Sequence, residues 1–187
     1  MGESKGRGAR YAFARDRARA LLFLSGQRPP VDVDAIIGGA HVPVVERVLE
    51  ESVRATIGDV AGQRSIILNR DHQMRSAGEH RWVLAEELGH VLLGHTLVDS
   101  TAPGVRVVGL REWRRTIQES EARAFASELL MPFAEVSRRW YALLRERLVS
   151  GELMEADRVR RLAREFGVTA SAMRIRLEQM KILYQPE

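Results

Sequence analysis

The chain has 187 residues, of which 45% are apolar, and is therefore long enough to bury one sizeable hydrophobic core. It contains no cysteine, which excludes disulfide bonds and thiolate metal sites, so any metal ion must be held by His, Asp or Glu. The longest apolar run near the N-terminus, residues 21–24, is too short for a signal peptide or a membrane span, and we expect a cytoplasmic protein.

The formal charge of +4 is concentrated at the N-terminus, where residues 1–30 hold seven basic and two acidic side chains. Such a segment either contacts nucleic acid or presents a solvated, arginine-rich helix face, and we favour the second interpretation. The rest of the chain is close to neutral.

The N-terminal half is predicted to be helical up to a single strand. A helix over residues 9–25 is ended by Gly26 and two prolines, and further helices are expected from Val33 and over residues 44–57. Residues 65–68 are typical of a strand, with Gly58 and Gly62 marking the turn that precedes it.

The C-terminal half is predicted to contain five more helices. They cover about residues 77–95, 112–131, 134–148 and 154–166, with a last helix ending near residue 183. A loop over residues 96–109, with a short strand at 105–108, separates the first two, and Pro132 stops the second.

The helix over residues 77–95 is apolar on both sides and is therefore expected to be buried. Glu86, Glu87 and His90 nevertheless project from it, and buried charged groups need partners or a metal ion. Glu86 and His90 are four residues apart and share one face, which is the spacing by which one helix can supply two ligands. His95 is five residues beyond His90, at about 140° around a helix, and we interpret it as a buried structural histidine.

The helix over residues 112–131 also carries carboxylates beside apolar positions. Glu119 lies within its apolar arc and Glu121 at the edge of that arc. Glu119 is either a third metal ligand supplied by a second helix or the ion-pair partner of Arg123, four residues on.

Three segments resemble the ImmA/IrrE family of metallopeptidases. They are RWVLAEELGHVLLGH, ESEARAFASELLMP and LAREFGVTASAMRIRLEQMKIL, and their order along the chain also matches the family. The resemblance implies an α+β, mostly helical fold: a zincin-like metallopeptidase scaffold with a small sheet and a C-terminal helix-turn-helix-like module. We expect a metallopeptidase-like core over residues 1–132 and a helical module over residues 133–187.

The resemblance also implies site roles. Glu87 corresponds to the general base, His90 to a zinc ligand and Glu119 to the third ligand, with Glu121 as the fallback for that third role. Glu86 stands where the family has its first zinc histidine. A second departure is Arg123, which stands where the family has Asn or Asp and could compete with a metal ion for Glu119.

A carboxylate at position 86 changes the chemistry that a metal ion would have. Two carboxylates and one imidazole cancel the charge of Zn²⁺, so bound water becomes less acidic than in a two-histidine site. Oxygen-rich ligation also moves preference from Zn²⁺ towards harder ions such as Mn²⁺ or Mg²⁺. The cofactor prediction is therefore Zn²⁺, with Mn²⁺ or no metal as alternatives.

Three functions follow as hypotheses. The chain is expected to bind or cleave a protein such as a helix-turn-helix repressor; alternatively, it is an inactive pseudo-peptidase that acts as a protein-binding regulator. DNA binding by the C-terminal helices is disfavoured, because residues 151–187 hold seven basic and six acidic side chains. We expect a peptide to pair with an exposed strand edge at Ile66, Ile67, Leu68 and Asn69.

Overall fold

The backbone of residues 2–95, 112–150 and 154–183 is described by a computed structural model. These ranges form seven helices and one three-stranded sheet, which confirms the α+β, mostly helical prediction. The elements are α1 (Gly2–Ser25), α2 (Val33–Gly39), β1 (Val44–Arg47), β2 (Ala55–Val60), β3 (Gln63–Asn69), α3 (Ala77–Leu92), α4 (Glu112–Leu130), α5 (Phe133–Ser150), α6 (Glu155–Phe166) and α7 (Ala170–Gln179).

The sheet has the order β1-β3-β2, so β3 is its central strand. β1 runs parallel to β3, and β2 runs antiparallel to it through a two-residue hairpin. The hairpin residues Ala61 and Gly62 both have positive φ, at 52° and 81°, as a type I′ turn requires. Ile66 and Ile67 of β3 are completely buried, so this strand anchors the sheet to the helices.

The predicted helix over residues 44–57 is wrong, because this segment contains β1 and the start of β2. Helical spacing is present at Val44, Val45, Val48 and Leu49. However, the two β-branched residues Val44 and Val45 pair with β3, about 20 residues further along the chain. Gly58 lies within β2 and is buried there, whereas the turn itself is made by residues 61 and 62.

α3 and α4 pack against each other unusually closely at Gly89. A Cβ atom built at Gly89 would lie 3.0 Å from the Phe125 ring and 3.3 Å from the Ala122 Cα. Any larger residue at this position would push the two helices apart. Leu88 and Phe125 of the two helices are completely buried, and Glu86 of α3 lies within hydrogen-bonding distance of Arg123 of α4.

The C-terminal helix pair, α6 and α7, is tied to the start of α3. Gly167 ends α6 with a φ of 64°, and its carbonyl accepts a 2.9 Å hydrogen bond from Nη1 of Arg81. Leu162 and Leu177 belong to the same hydrophobic cluster as Leu84 of α3. The division of the chain at residue 132 remains a prediction.

The other helix boundaries differ by a few residues from the sequence prediction. α1 begins at Gly2 rather than near residue 9, α3 ends at Leu92 rather than 95, and α7 ends at Gln179 rather than 183. The predicted loop and short strand over residues 96–109 lie outside the described residues. Across the described ranges, none of the helices combines the length and the apolar character needed to span a bilayer.

Candidate active site

A cavity of about 310 Å³ opens between the start of β2 and the paired helices α3 and α4. α3 contributes Glu86 and Glu87 to its lining, and α4 contributes Glu119 and Arg123. The remaining lining residues are Ser52, Val53, Arg54, Ala55 and Val83. Three of the four residues predicted to form the site, Glu86, Glu87 and Glu119, therefore share one cavity.

Arg123 joins the carboxylates of the two helices. Its Nε donates a 3.0 Å hydrogen bond to Oε1 of Glu86, and its Nη2 lies 3.7 Å from Oε2 of Glu119. The Glu86 side chain is only 9% exposed, whereas that of Arg123 is 62% exposed. The guanidinium therefore enters from the solvent side and neutralises a buried carboxylate. The predicted Glu119–Arg123 pair is present, but its distance of 3.7 Å makes it weaker than the 3.0 Å contact with Glu86.

Glu87 lies partly buried beside these groups. Burial, followed by the neighbouring charges of Glu86 and Glu119, raises the pKa of Glu87 to about 8, and Arg54 offsets this only in part. In this charge environment the Glu87 carboxyl is mostly protonated at neutral pH.

His90 lies on the same face of α3 as Glu86 and is buried beside Glu119, although it does not itself line the cavity. Its Nε2 is 3.7 Å from Oε1 of Glu119. Burial, together with the nearby His95 and Arg123, lowers the pKa of His90 to about 3, so the imidazole is neutral at pH 7.

His95 contacts His90 directly, although the helical wheel placed the two rings on different faces. α3 ends at Leu92, and Gly94 with a φ of 68° turns the chain back, so that the backbone N–H of His95 donates to the His90 carbonyl. The two Nδ1 atoms are 3.0 Å apart, and the ring planes are inclined at 74°. His95 is buried as predicted, but the helical geometry used to separate it from His90 does not extend to residue 95.

Glu121, His95 and His90 form a hydrogen-bonded chain. Nε2 of His95 donates to Oε2 of Glu121 over 3.0 Å, since a carboxylate can only accept. The Nδ1 atom of His95 is then an acceptor, so Nδ1 of His90 donates to it. This arrangement leaves the lone pair of His90 Nε2 directed towards Glu119.

Glu121, which the sequence allowed as the alternative third ligand, is absent from the lining of the cavity. Its carboxylate binds His95 and lies 3.6 Å from Nη1 of Arg10, while Glu119 rather than Glu121 lines the cavity. Glu119 and Glu121 are two residues apart, which is about 200° around an α-helix, so their carboxylates lie on different sides of α4. Glu121 therefore orients His95.

The prediction that a peptide pairs with Ile66, Ile67, Leu68 and Asn69 is wrong. These residues lie on the central strand, with β1 hydrogen-bonded on one side and β2 on the other. Ile66 and Ile67 are fully buried in addition. The strand that borders the cavity is β2, through Ala55 and the preceding Arg54.

Asn69 has a positioning role that the sequence did not reveal. Its side-chain amide donates to the carbonyls of Glu50 and Val53, and its Oδ1 accepts from the backbone N–H of Leu49. These bonds hold the loop between β1 and β2, which forms one wall of the cavity. An Asn at the end of a strand is a common turn residue, but the distant partners of Asn69 depend on tertiary structure.

The family resemblance implies a zinc site held by two histidines and one carboxylate. Within residues 10–95, 116–146 and 154–183, no three His, Asp or Glu side chains are arranged to hold one metal ion together. Arg123 instead binds the two carboxylates expected as first and third ligands. The side chains that the structure describes therefore do not fit the two-histidine, one-carboxylate zinc set.

Comparison with known proteins gives one family match. None of the curated proteins compared with the chain matches it. Residues 42–178 match the family described as IrrE N-terminal-like domain, Peptidase_M78. This segment covers most of the 187 residues and includes the cavity, α3 and α4. The chain therefore belongs to the IrrE N-terminal-like, or ImmA/IrrE, family of metallopeptidase-fold proteins.

Proposed function

We propose that this chain is a pseudo-peptidase: a metallopeptidase-fold protein that binds a protein partner at the cavity and does not depend on a zinc ion. One observation carries the proposal. The two departures from the family motif, Glu86 and Arg123, contact each other through a 3.0 Å charge-assisted hydrogen bond.

The charges explain why these departures belong together. Members of this family are generally zinc-dependent, and a zinc site compensates its carboxylate with a doubly charged ion. Glu86 adds a second carboxylate, and Arg123 supplies a fixed positive charge between Glu86 and Glu119. A metal ion would have to displace the guanidinium and would meet its repulsion, so this pairing disfavours metal binding.

A protein partner is the ligand class that the scaffold retains. β2 has β3 on one side, and the described residues place no strand on its other side. Arg54 and Ala55, where this strand begins, line the cavity. An extended peptide can add to such an edge through main-chain hydrogen bonds. The family resemblance makes a helix-turn-helix repressor the first partner to test.

The test is to restore the family's ligand set. Glu86→His with Arg123→Asn is expected to bind Zn²⁺ at least about a hundredfold more tightly than wild type in titration calorimetry, because it regains an imidazole and loses the competing cation. Each single change is expected to restore much less. Adding His90→Gln to the double variant is the matched control and should remove the gained affinity.

Elemental analysis of the wild-type protein, purified without chelator, complements this titration. We expect it to contain substoichiometric zinc and manganese. Stoichiometric zinc that is lost on Glu86→Ala would instead identify Glu86 as a working ligand and would favour an active Glu-Glu-His peptidase.

A further inference from the structure

A second, larger cavity of about 730 Å³ lies beside the first one, between α1, α3, α4 and α7. We name it the arginine cleft, because five arginines line it: Arg15, Arg54, Arg75, Arg123 and Arg176. Glu79 is its one acidic lining residue among the described side chains. Arg54 and Arg123 also line the smaller cavity, so the two spaces adjoin at these side chains.

Three of the five arginines lie beside carboxylates: Arg54 beside Glu79, Arg123 beside Glu86 and Arg176 beside Glu128. Among the described side chains, the uncompensated positive charge of the cleft therefore comes from Arg15 and Arg75. Arg54 lies 3.4 Å from Glu79, and the backbone N–H of Arg75 donates to the same carboxylate. The Nε atom of Arg15 is buried, and within the described part of the chain it has no hydrogen-bond partner. A buried donor of this kind is costly unless a ligand satisfies it.

The cleft also has an apolar wall. It is formed by Trp82 of α3, Ala124 of α4, and Ala172 and Ile175 of α7. Ile175 is among the exposed large hydrophobic residues of the protein. A ligand that uses both parts must combine negative charge with at least one apolar side chain.

The smaller cavity bears on whether the anionic ligand of the arginine cleft is a nucleic acid or an acidic peptide. Glu86, Glu87 and Glu119 line it and adjoin the arginine cleft. A nucleic acid backbone, with a charge at every nucleotide, would find no uncompensated cation there, because Arg54 and Arg123 already lie beside Glu79 and Glu86. A peptide can place acidic residues in the cleft and neutral ones beyond it.

We propose that the arginine cleft binds an acidic segment of a partner protein, in which Asp or Glu side chains flank an apolar side chain that packs on Trp82 and Ile175. This inference rests on the proposed function, since it names the chemistry of the protein that the scaffold binds. It assigns Arg15 and Arg75 as the residues that select this partner.

The probe is a short fluorescein-labelled peptide of repeating Glu-Leu-Glu units, followed by fluorescence anisotropy at low and at physiological salt. A peptide with Lys in place of Glu is its charge-reversed control. Arg15→Glu and Arg75→Glu are each expected to weaken binding about fivefold to tenfold, since each replaces an attraction with a repulsion.

Arg17→Glu is the matched control variant. Arg17 is exposed on the same helix as Arg15 and does not line the cleft, so the same charge reversal should change the affinity by less than about twofold. Arg75 is an exposed loop residue, so Arg75→Glu decides the test if Arg15→Glu fails to fold.

The inference would be overturned if the protein bound the Glu and Lys peptides equally well, or bound neither. It would also be overturned if Arg17→Glu weakened binding as much as Arg15→Glu and Arg75→Glu. A third contrary result would be a short oligonucleotide that displaces the bound peptide at a lower concentration than the unlabelled peptide does. None of these results bears on the zinc titration of the Glu86→His, Arg123→Asn variant. Failure of the inference is thereby separated from failure of the pseudo-peptidase proposal.

Discussion

α4 carries two clusters of arginine and glutamate that have the same chemistry but different surroundings. In the Glu128 cluster, Glu128 accepts hydrogen bonds from Arg176 of α7, Arg19 of α1 and the backbone N–H of Phe133. The Glu128 and Arg176 side chains are 2% and 3% exposed. In the second cluster, Arg123 bridges Glu86 and Glu119 at the mouth of the cavity.

The difference in burial separates a structural ion pair, Glu128 with Arg176, from the candidate site around Arg123. Arg176 also donates to the Met131 carbonyl, so the Glu128 cluster is satisfied from several directions and joins three helices. Arg123, by contrast, is largely solvated and borders two open cavities. The same residue types therefore form a buried ion pair in one place and remain accessible to solvent in the other.

The largest expected effect comes from breaking the Glu128 cluster. Arg176→Met leaves the Glu128 carboxylate buried with only Arg19 to compensate it, and should lower the free energy of unfolding by about 3–5 kcal/mol. Urea denaturation followed by circular dichroism measures this loss. The double change Arg176→Met with Glu128→Leu should recover most of it, because the uncompensated charge is gone; no recovery would show that Arg176 acts through packing alone.

A smaller effect is expected from titrating the same cluster. Burial tends to raise the pKa of Glu128, but the charges and hydrogen bonds of Arg176 and Arg19 outweigh it and lower the pKa below the ordinary 4.5. The unfolded chain then binds the proton more readily, so this stabilisation is present above about pH 4.5 and is lost as the pH falls towards the folded-state pKa.

Unfolding free energies measured from neutral to acidic pH check this dependence. Glu128→Gln should show a shallower decline below about pH 4.5 than wild type. Parallel curves would mean that Glu128 titrates normally in the folded protein.

The smallest effect on stability is expected at the cavity. Arg123→Gln leaves the buried Glu86 carboxylate without its cation, but the guanidinium is 62% exposed and the cavity is open to water, so the free energy of unfolding should fall by only about 1–2 kcal/mol. Thermal and urea denaturation give the value. A loss as large as that of Arg176→Met would place Arg123 with the structural cluster and would weaken the comparison of the two clusters.

The helices that carry the site could be predicted from sequence because their signals are local. The spacing of Glu86 and His90 on α3, and of Glu119 on α4, follows from helical periodicity and needs no tertiary information. The sequence also paired Arg123 with Glu119, its neighbour on the same helix. It could not rank Glu86 as the closer partner, because that contact depends on how tightly α3 and α4 approach each other at Gly89.

The errors arose where structure depends on distant partners or on a helix end. Residues 44–47 became a strand because β3 pairs with them, and β3 became the central strand for the same reason. His95 was misplaced because a wheel extrapolates helical geometry beyond Leu92. The roles of Asn69 and Glu128 depend on contacts that span many residues along the chain.

α1 has a practical consequence for recombinant production of this protein. The family match begins at residue 42, yet α1 lies before it and places Ala14 and Ala18, both fully buried, in the hydrophobic core. A fragment that begins at residue 42 would lose the Arg19 contact to Glu128 and would expose a strip of hydrophobic surface along α4. Such a fragment is expected to aggregate, so the smallest fragment suitable for purification includes α1.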